Sequence, residues 1–212
     1  LIVKISALLF DNDGVLVDSY DSSVQGWNQW SEEYGLDFKI TEHAGRRASD
    51  LVLELLGQEA FEEANNRINF LEQELAHLTL ALPGAYELLN SAPLDRWTIC
   101  TSANPELGRA RIEAAGLPVP KHLVTAYDVE NGKPFPDPYL LGAKRLGFAA
   151  SECVVFEDAE AGVRSARAAG AGFVVGVSSQ VLNTDADIVV ENLSGISFDG
   201  FELKIPDAIR LR

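Results

Sequence analysis

Leu8-Leu9-Phe10-Asp11-Asn12-Asp13-Gly14-Val15-Leu16-Val17-Asp18-Ser19 is an apolar run that ends in two carboxylates one residue apart, followed by a glycine. Lys4 to Phe10 reads as one buried strand that stops at Asp11, carrying Ile5, Leu8 and Leu9 in a short apolar run. If the backbone stays extended for two more residues, Asp11 and Asp13 point the same way and Asn12 points away. Gly14 then admits a turn that a side chain would oppose. Paired carboxylates repel, and a divalent cation is the usual remedy. A calcium loop is a different reading of such acids, and it fails by position. The fifth place of an EF-hand pattern would be Val15, the sixth Leu16 and the twelfth Ser22. An ordinary Asx-rich turn is the other bland reading of this stretch taken alone.

Outward from this stretch the chain changes character twice. Ser19 to about Leu82 reads as helical throughout. Val24, Trp27, Trp30 and Tyr34 recur at near-helical spacing, and Phe61, Ala64, Ile68, Leu71, Leu75, Leu78 and Leu82 mark a long amphipathic helix. Between them lie Gly45, Arg46 and Arg47, with Asp50 close behind and a short apolar helix from Leu51 to Leu56. The adjacent arginines are either a solvated helix start partnered by Asp50 or a loop that meets the polar part of a substrate. Pro83-Gly84 marks the return, and strands and helices then alternate. The strands are Trp97–Cys100, Leu123–Ala126, Cys153–Phe156, Gly172–Val177 and Asp187–Val190. Helices are expected at Ala85–Ser91, Pro105–Ala115, Tyr139–Leu146 and after Asp158 to about Ala169. This alternation predicts an α/β fold, a Rossmann-like doubly wound parallel sheet, with an inserted helical unit. The expected division is 1–16 and 84–212 for the sheet core and 17–83 for a helical cap.

Ligands in such sheets bind beyond the carboxyl ends of the strands. Asp11 and Asp13 end the first strand, Thr101 and Ser102 the second, Lys133 lies in the loop beyond the third, and Glu157 and Asp158 end the fourth. Each has a plain structural reading: a helix N-cap, a surface lysine in a Gly-Pro loop, helix-capping acids. Their coincidence at one sheet edge makes a site for phosphoryl transfer. A carboxylate is ionised at neutral pH and attacks without a base, so Asp11 is the nucleophile candidate and Asp13 the proton carrier.

These motifs are identified as those of the haloacid dehalogenase-like hydrolases, in the branch of small-metabolite phosphatases and β-phosphoglucomutases. The resemblance runs from about Ile5 to about Val190 and rests on four stretches in order. They are Phe10 to Ser19, Thr101-Ser102-Ala103, Gly132-Lys133-Pro134-Phe135-Pro136-Asp137, and Val155 to Gly162. It implies Asp11 as nucleophile and Asp13 as acid/base. Ser102 and the Ala103 backbone N–H would hold the phosphoryl oxygens, with Thr101 adjacent, and Lys133 would bridge nucleophile and phosphoryl group. Asp158 would complete a Mg²⁺ site with Asp11 and the Asp13 carbonyl, with Glu157 beside it. Gly45, Arg46 and Arg47 resemble the cap loop of sugar phosphate and glycerol phosphate phosphatases. Asn12 and Ala159 depart from the family pattern, where an apolar residue and Ser are common. The expected activity is a Mg²⁺-dependent phosphatase acting on a small sugar or polyol phosphate. The alternatives are a β-phosphoglucomutase-like isomerase, with Arg46 or Arg47 on a distal phosphate, and a receiver-like signalling domain phosphorylated on Asp11. The helical insert counts against the last.

Composition narrows the partners. A net charge of −15 argues against nucleic acid and anionic membranes. No run of the chain is long and apolar enough to span a bilayer, and no signal peptide is visible. Cys100 and Cys153 both sit in apolar strand-like runs and read as buried free thiols, which suits a reducing cytoplasm. The expected protein is a monomer. The chain contains no Met, so its first residue is not read as the native start and a removed leader stays open.

Overall fold

The computed structural model describes all residues from Leu1 to Arg212. In chain order the elements are β1 (Ile2–Lys4), β2 (Ala7–Phe10), β3 (Val17–Asp18), α1 (Tyr20–Tyr34), α2 (Ala48–Leu75), β4 (Leu80–Ala81), α3 (Ala85–Ser91) and β5 (Trp97–Ile99). They continue with α4 (Pro105–Ala114), α5 (Asp137–Leu146), β6 (Cys153–Glu157), α6 (Glu160–Ala168), β7 (Phe173–Val177), β8 (Ile188–Val190), β9 (Ser197–Phe198) and β10 (Glu202–Lys204).

β2 organises the main sheet, which runs β5-β2-β6-β7-β8 and is parallel throughout. Leu9 lies opposite Thr98 on one side and Val155 on the other. All four β2 residues are fully buried, because helices cover both faces of the sheet. Successive residues therefore enter different clusters. Leu8 and Phe10 pack with Trp97, Ile99, Val154 and Phe156, whereas Ala7 and Leu9 pack with Tyr139, Cys153 and Val155. Phe10 stacks on Phe156 with ring centroids 4.8 Å apart. Burying one such side chain contributes about 2–3 kcal/mol, which is what fixes the strand's depth in the sheet. Both cysteines are buried and free, and burial pushes the Cys153 thiol up to about 12.

The helical unit has its own apolar cluster. Trp27 and Trp30 of α1 and Phe38 pack against Leu51, Val52, Ala64, Ile68 and Leu71 of α2. The Trp30 indole N–H donates to the Ala64 carbonyl at 2.9 Å, so its one polar atom is satisfied inside that cluster. The two connections between this unit and the sheet lie side by side as an antiparallel pair, β3 with β4.

Three local expectations are corrected. The run Lys4–Phe10 is two strands: β1 pairs antiparallel with β10, and β2 enters the parallel sheet. The two helices expected here do follow one another within α2, separated by a break at Gly57, whose φ is 72°, but the second ends at Leu75 instead of running on to Leu82. Leu78 and Leu82 lie beyond its end, and Leu78 is exposed. The strand at Leu123–Ala126 is reduced to a single bridge between Val124 and Cys100, because Thr125 caps a tight turn through Asp128 at 2.7 Å. The sheet of β1, β10 and β9 had no sequence signal, since β9 is two residues long and β10 three.

Candidate active site

The carboxyl ends of β2, β5 and β6 meet at one edge, and there the side chains expected to act together do come together. Asp11 follows β2 directly, its N–H donating to the Phe156 carbonyl at 2.9 Å, which locks it beside β6. Its Oδ1 lies 2.7 Å from Lys133 Nζ, and that ammonium lies 2.6 Å from Glu157 Oε1. Lys133 is 2 % exposed, so a charged amine is held inside the molecule by two carboxylates and by the face of Tyr139, 5.1 Å away. Burial disfavours the Lys133 cation, but Asp11 and Glu157 outweigh it and hold its pKa above the ordinary lysine value.

Glu157 is spoken for on both oxygens. Oε1 also accepts from the Tyr139 hydroxyl at 2.5 Å, and Oε2 accepts from the N–H groups of Asp158 and Ala159 at 3.1 and 3.3 Å. Gly162 makes room for it: a Cβ there would lie 1.8 Å from the Glu157 carboxyl. Gly14 serves Asp158 in the same way. Its φ is 78°, and a Cβ would fall 1.9 Å from Asp158 Oδ2.

Oxygens of Asp11, Glu157 and Asp158 lie within 4.8 Å of one another. Three carboxylates thus cluster around a single lysine that pairs with two of them, Asp11 and Glu157. Burial first, and then the neighbouring acids, push Asp158 well above the usual carboxylate range. Burial likewise carries Asp11 to about 7, with Lys133 opposing the shift. A surplus of buried hard oxygen donors over positive charge is the chemistry that Mg²⁺ satisfies.

Asp13 stands at the cavity side of the same loop. Its Oδ1 accepts from Ser19 Oγ at 2.6 Å and forms an ion pair with Arg111 Nη1 at 3.1 Å. Arg111, on α4, is 4 % exposed, and its Nη2 also donates to Glu72 Oε1 of α2 at 3.0 Å and to Ser23 Oγ of α1 at 2.9 Å. One guanidinium therefore ties Asp13 to both helices of the helical unit. α4 is itself pinned by Pro105 in its first turn and by Asn104, whose side chain accepts from the Leu107 N–H at 2.8 Å.

A cavity of about 340 Å³ opens between the two units. Asp11, Asp13, Ser102, Ala103 and Asp158 line it from the sheet side, and Gly45, Arg46, Asn69 and Glu72 from the helical side. Ser102 Oγ donates to the Gly45 carbonyl at 2.7 Å, so the helical unit is docked against the sheet edge. The Ala103 N–H donates to Thr101 Oγ1 at 3.1 Å, and Thr101 is buried behind the lining.

The two adjacent arginines part company. Arg46 lines the cavity and forms an ion pair with Glu54. Arg47 does not line it. Its guanidinium forks onto Asp50 with two bonds of 2.9 Å and reaches the Ala126 and Val129 carbonyls at 3.4 and 3.3 Å. In this geometry it straps the two units together and does not face the cavity, unlike its neighbour Arg46. Arg111, Glu72, Ser19 and Tyr139 were not anticipated as site residues. Glu72 did carry a signal: it sits four residues after Ile68 and beside Leu71, an acid on the apolar stripe of its helix.

With this geometry in hand, the comparisons with known proteins are specific. The model of the haloacid dehalogenase-like hydrolases matches residues 5–170. Hexitol phosphatase A of Escherichia coli is 38 % identical over 207 residues, covering 92 % of this chain and 94 % of the relative. Glycerol-1-phosphate phosphohydrolase 2 of Saccharomyces cerevisiae is 30 % identical, covering 95 % and 88 %. Among solved structures, a hydrolase from Pseudomonas syringae superposes with a TM-score of 0.78 at 28 % identity, covering 89 % of this chain and 94 % of that one. A β-phosphoglucomutase from Clostridium difficile superposes with a TM-score of 0.81 at 21 % identity, covering 92 % and 94 %, and so shares the fold. The chain belongs to the haloacid dehalogenase-like hydrolases.

Proposed function

We propose that this protein is a phosphatase that hydrolyses a small sugar or polyol phosphate through an aspartyl-phosphate on Asp11. The observation that carries this reading is Asp11 Oδ1, 2.7 Å from Lys133 Nζ, at a cavity wall that also presents Asp13. Hydrolysis of an alkyl phosphate demands a barrier reduction of about 20 kcal/mol or more. Attack by a carboxylate on a phosphate brings like charges together, and Lys133, beside Asp11, lowers that cost at the reacting atoms. The leaving alkoxide needs a proton. Both partners of Asp13 fall on Oδ1, so Oδ2 is the oxygen that delivers it, and the ionised acid then takes a proton from the water that hydrolyses the acyl-phosphate. Ser102 and the Ala103 N–H are at the right edge to hold the phosphoryl oxygens once they exchange their present partners, the Gly45 carbonyl and Thr101 Oγ1. The docked helical unit acts as a cap that excludes bulk water.

Asp11 and Asp158 are the side chains that would hold Mg²⁺, because Glu157 already accepts bonds on both oxygens and serves to hold Lys133. When bound, the ion neutralises charge on the transferring group. Phosphatases among the relatives, including a fructose-1-phosphate phosphatase of Escherichia coli at 28 % identity, support the hydrolytic reading over the mutase one. The deciding assay is a panel of phosphorylated sugars and polyols with Mg²⁺, scoring phosphate release beside isomer formation. Stoichiometric phosphate is expected; isomer without phosphate would replace the phosphatase with a mutase.

A further inference from the structure

Glu72 is an acid at the wall of a cavity built to receive an anion. It is 6 % exposed and its protein bonds fall on Oε1, from Arg111 Nη2 at 3.0 Å and Ser23 Oγ at 3.5 Å. Its second oxygen, Oε2, has no protein partner and is not enclosed, so it is open to the cavity and free to accept from a donor there. Its position says what that donor belongs to. The leaving oxygen of the ester must lie at Asp13, which takes the ion pair of Arg111 at 3.1 Å, and Glu72 lies on the far side of the same guanidinium. Glu72 therefore flanks the alcohol half of the substrate, not the phosphoryl half.

The charge balance of that half is equally informative. The cavity's arginines are Arg46 and Arg111. Arg46 is paired with Glu54, and Arg111 is shared between Asp13 and Glu72, so two acids face one cation. Neither arginine is without an acid partner, and the other basic side chain of the lining is His43. What remains is suited to hydroxyls. The wall carries the Glu72 carboxylate, the Ser23 hydroxyl and the Asn69 and Asn104 amides, which bond each other at 3.1 Å.

We infer that Glu72, held in place by Arg111, is a specificity-determining residue: it accepts hydroxyl groups of an uncharged polyol end and repels a second phosphate. The inference rests on the phosphatase reading and narrows its substrate to a polyhydroxylated monophosphate. A site that hydrogen-bonds a substrate hydroxyl rejects the analogue lacking it far more strongly than a site that merely accommodates it, because its own polar group is then stranded.

The test compares glycerol 1-phosphate with n-propyl phosphate. Both lose a primary alkoxide, and the modest leaving-group advantage of glycerol is the same in every variant, so the part of the kcat/KM ratio that a Glu72 substitution removes isolates hydroxyl recognition. The wild-type ratio should be about 100-fold or more. Glu72→Ala should reduce it by about tenfold or more, and Glu72→Gln, which keeps the shape and removes the charge, should tighten competitive inhibition by fructose 1,6-bisphosphate by about tenfold. A wild-type ratio near one, or variants matching the wild type in ratio and inhibition, overturns the inference while phosphate release still stands. Should Glu72→Ala fail to fold, Glu72→Gln, which keeps the shape, carries the test of the residue through its inhibition by the bisphosphate, and the wild-type ratio carries that of hydroxyl recognition. A wild-type protein that releases no phosphate from any member of the panel of sugar and polyol phosphates with Mg²⁺ overturns the phosphatase reading and this inference with it.

Discussion

In the core, Lys133 lies between Asp11 and Glu157, and the two acids sit at the ends of neighbouring strands of one sheet. At the boundary, Arg111 lies between Asp13 and Glu72, with one acid on the sheet side and the other on α2. Both cations are buried and each is shared by two acids, yet they answer to different demands. The lysine is a compact charge whose partners cannot separate without disrupting the sheet. The arginine is a planar fork that spans two elements, and its geometry exists only while the helical unit is docked. The groups proposed to act on the phosphate ester are thus placed on the sheet, and the wall proposed for the alcohol on the helical unit docked against it.

The largest expected effect breaks the first half of this comparison. Asp11→Asn should lower turnover by about 10⁴-fold or more, read as phosphate release with Mg²⁺ present. Turnover near the wild-type rate would remove Asp11 as nucleophile. Chelation should act almost as strongly: EDTA should abolish release and lower the melting temperature, and added Mg²⁺ should restore both. A melting temperature indifferent to the metal would argue against the carboxylate surplus around Asp158. Lys133→Met strands two buried carboxylates, so it should cost about 3–5 kcal/mol in urea unfolding and reduce activity by about 10³-fold. Arg111→Lys sharpens the contrast. A lysine cannot serve Asp13, Glu72 and Ser23 together, so kcat should fall by about 10–100-fold with a smaller loss of stability than in Lys133→Met. Equal stability losses in the two variants would mean that the boundary is as rigid as the core. The smallest effect has the opposite sign. Both polar side-chain atoms of Asn12 are buried without a partner, so Asn12→Leu should stabilise by about 1–2 kcal/mol with turnover preserved.

The same contrast explains what could be read from the residues alone. Asp11, Ser102, Lys133 and Asp158 each follow an apolar run or open a Pro- or Gly-marked loop, so the topology of a parallel sheet brings them to one edge without any knowledge of side-chain packing. Arg111 has no such marker. It is one of two arginines in a short helix, and only the docking of α1 and α2 on α4 distinguishes it from exposed Arg109. Arg46 and Arg47 were legible as a pair but not as individuals, because the turn of chain between Gly45 and α2 decides which one faces the cavity. The strands β9 and β10 were illegible because so short an edge sheet imposes no periodicity on its sequence. Asn12 was expected to point away from the metal carboxylates. Its burial without partners shows that it points into apolar surroundings, where it contributes nothing to polar recognition.

The pairing of β3 with β4 has a mechanical consequence. Two single connections would let the helical unit twist as well as swing. Laid side by side and hydrogen-bonded, Val17–Asp18 and Leu80–Ala81 form a ribbon that is stiff in its plane and soft across it. A displacement of the helical unit relative to the sheet would then be confined to a swing about one axis, as of a door on a strip hinge. Such a hinge would return Glu72 to Arg111 in the same register and keep the wall proposed for the alcohol end in one place.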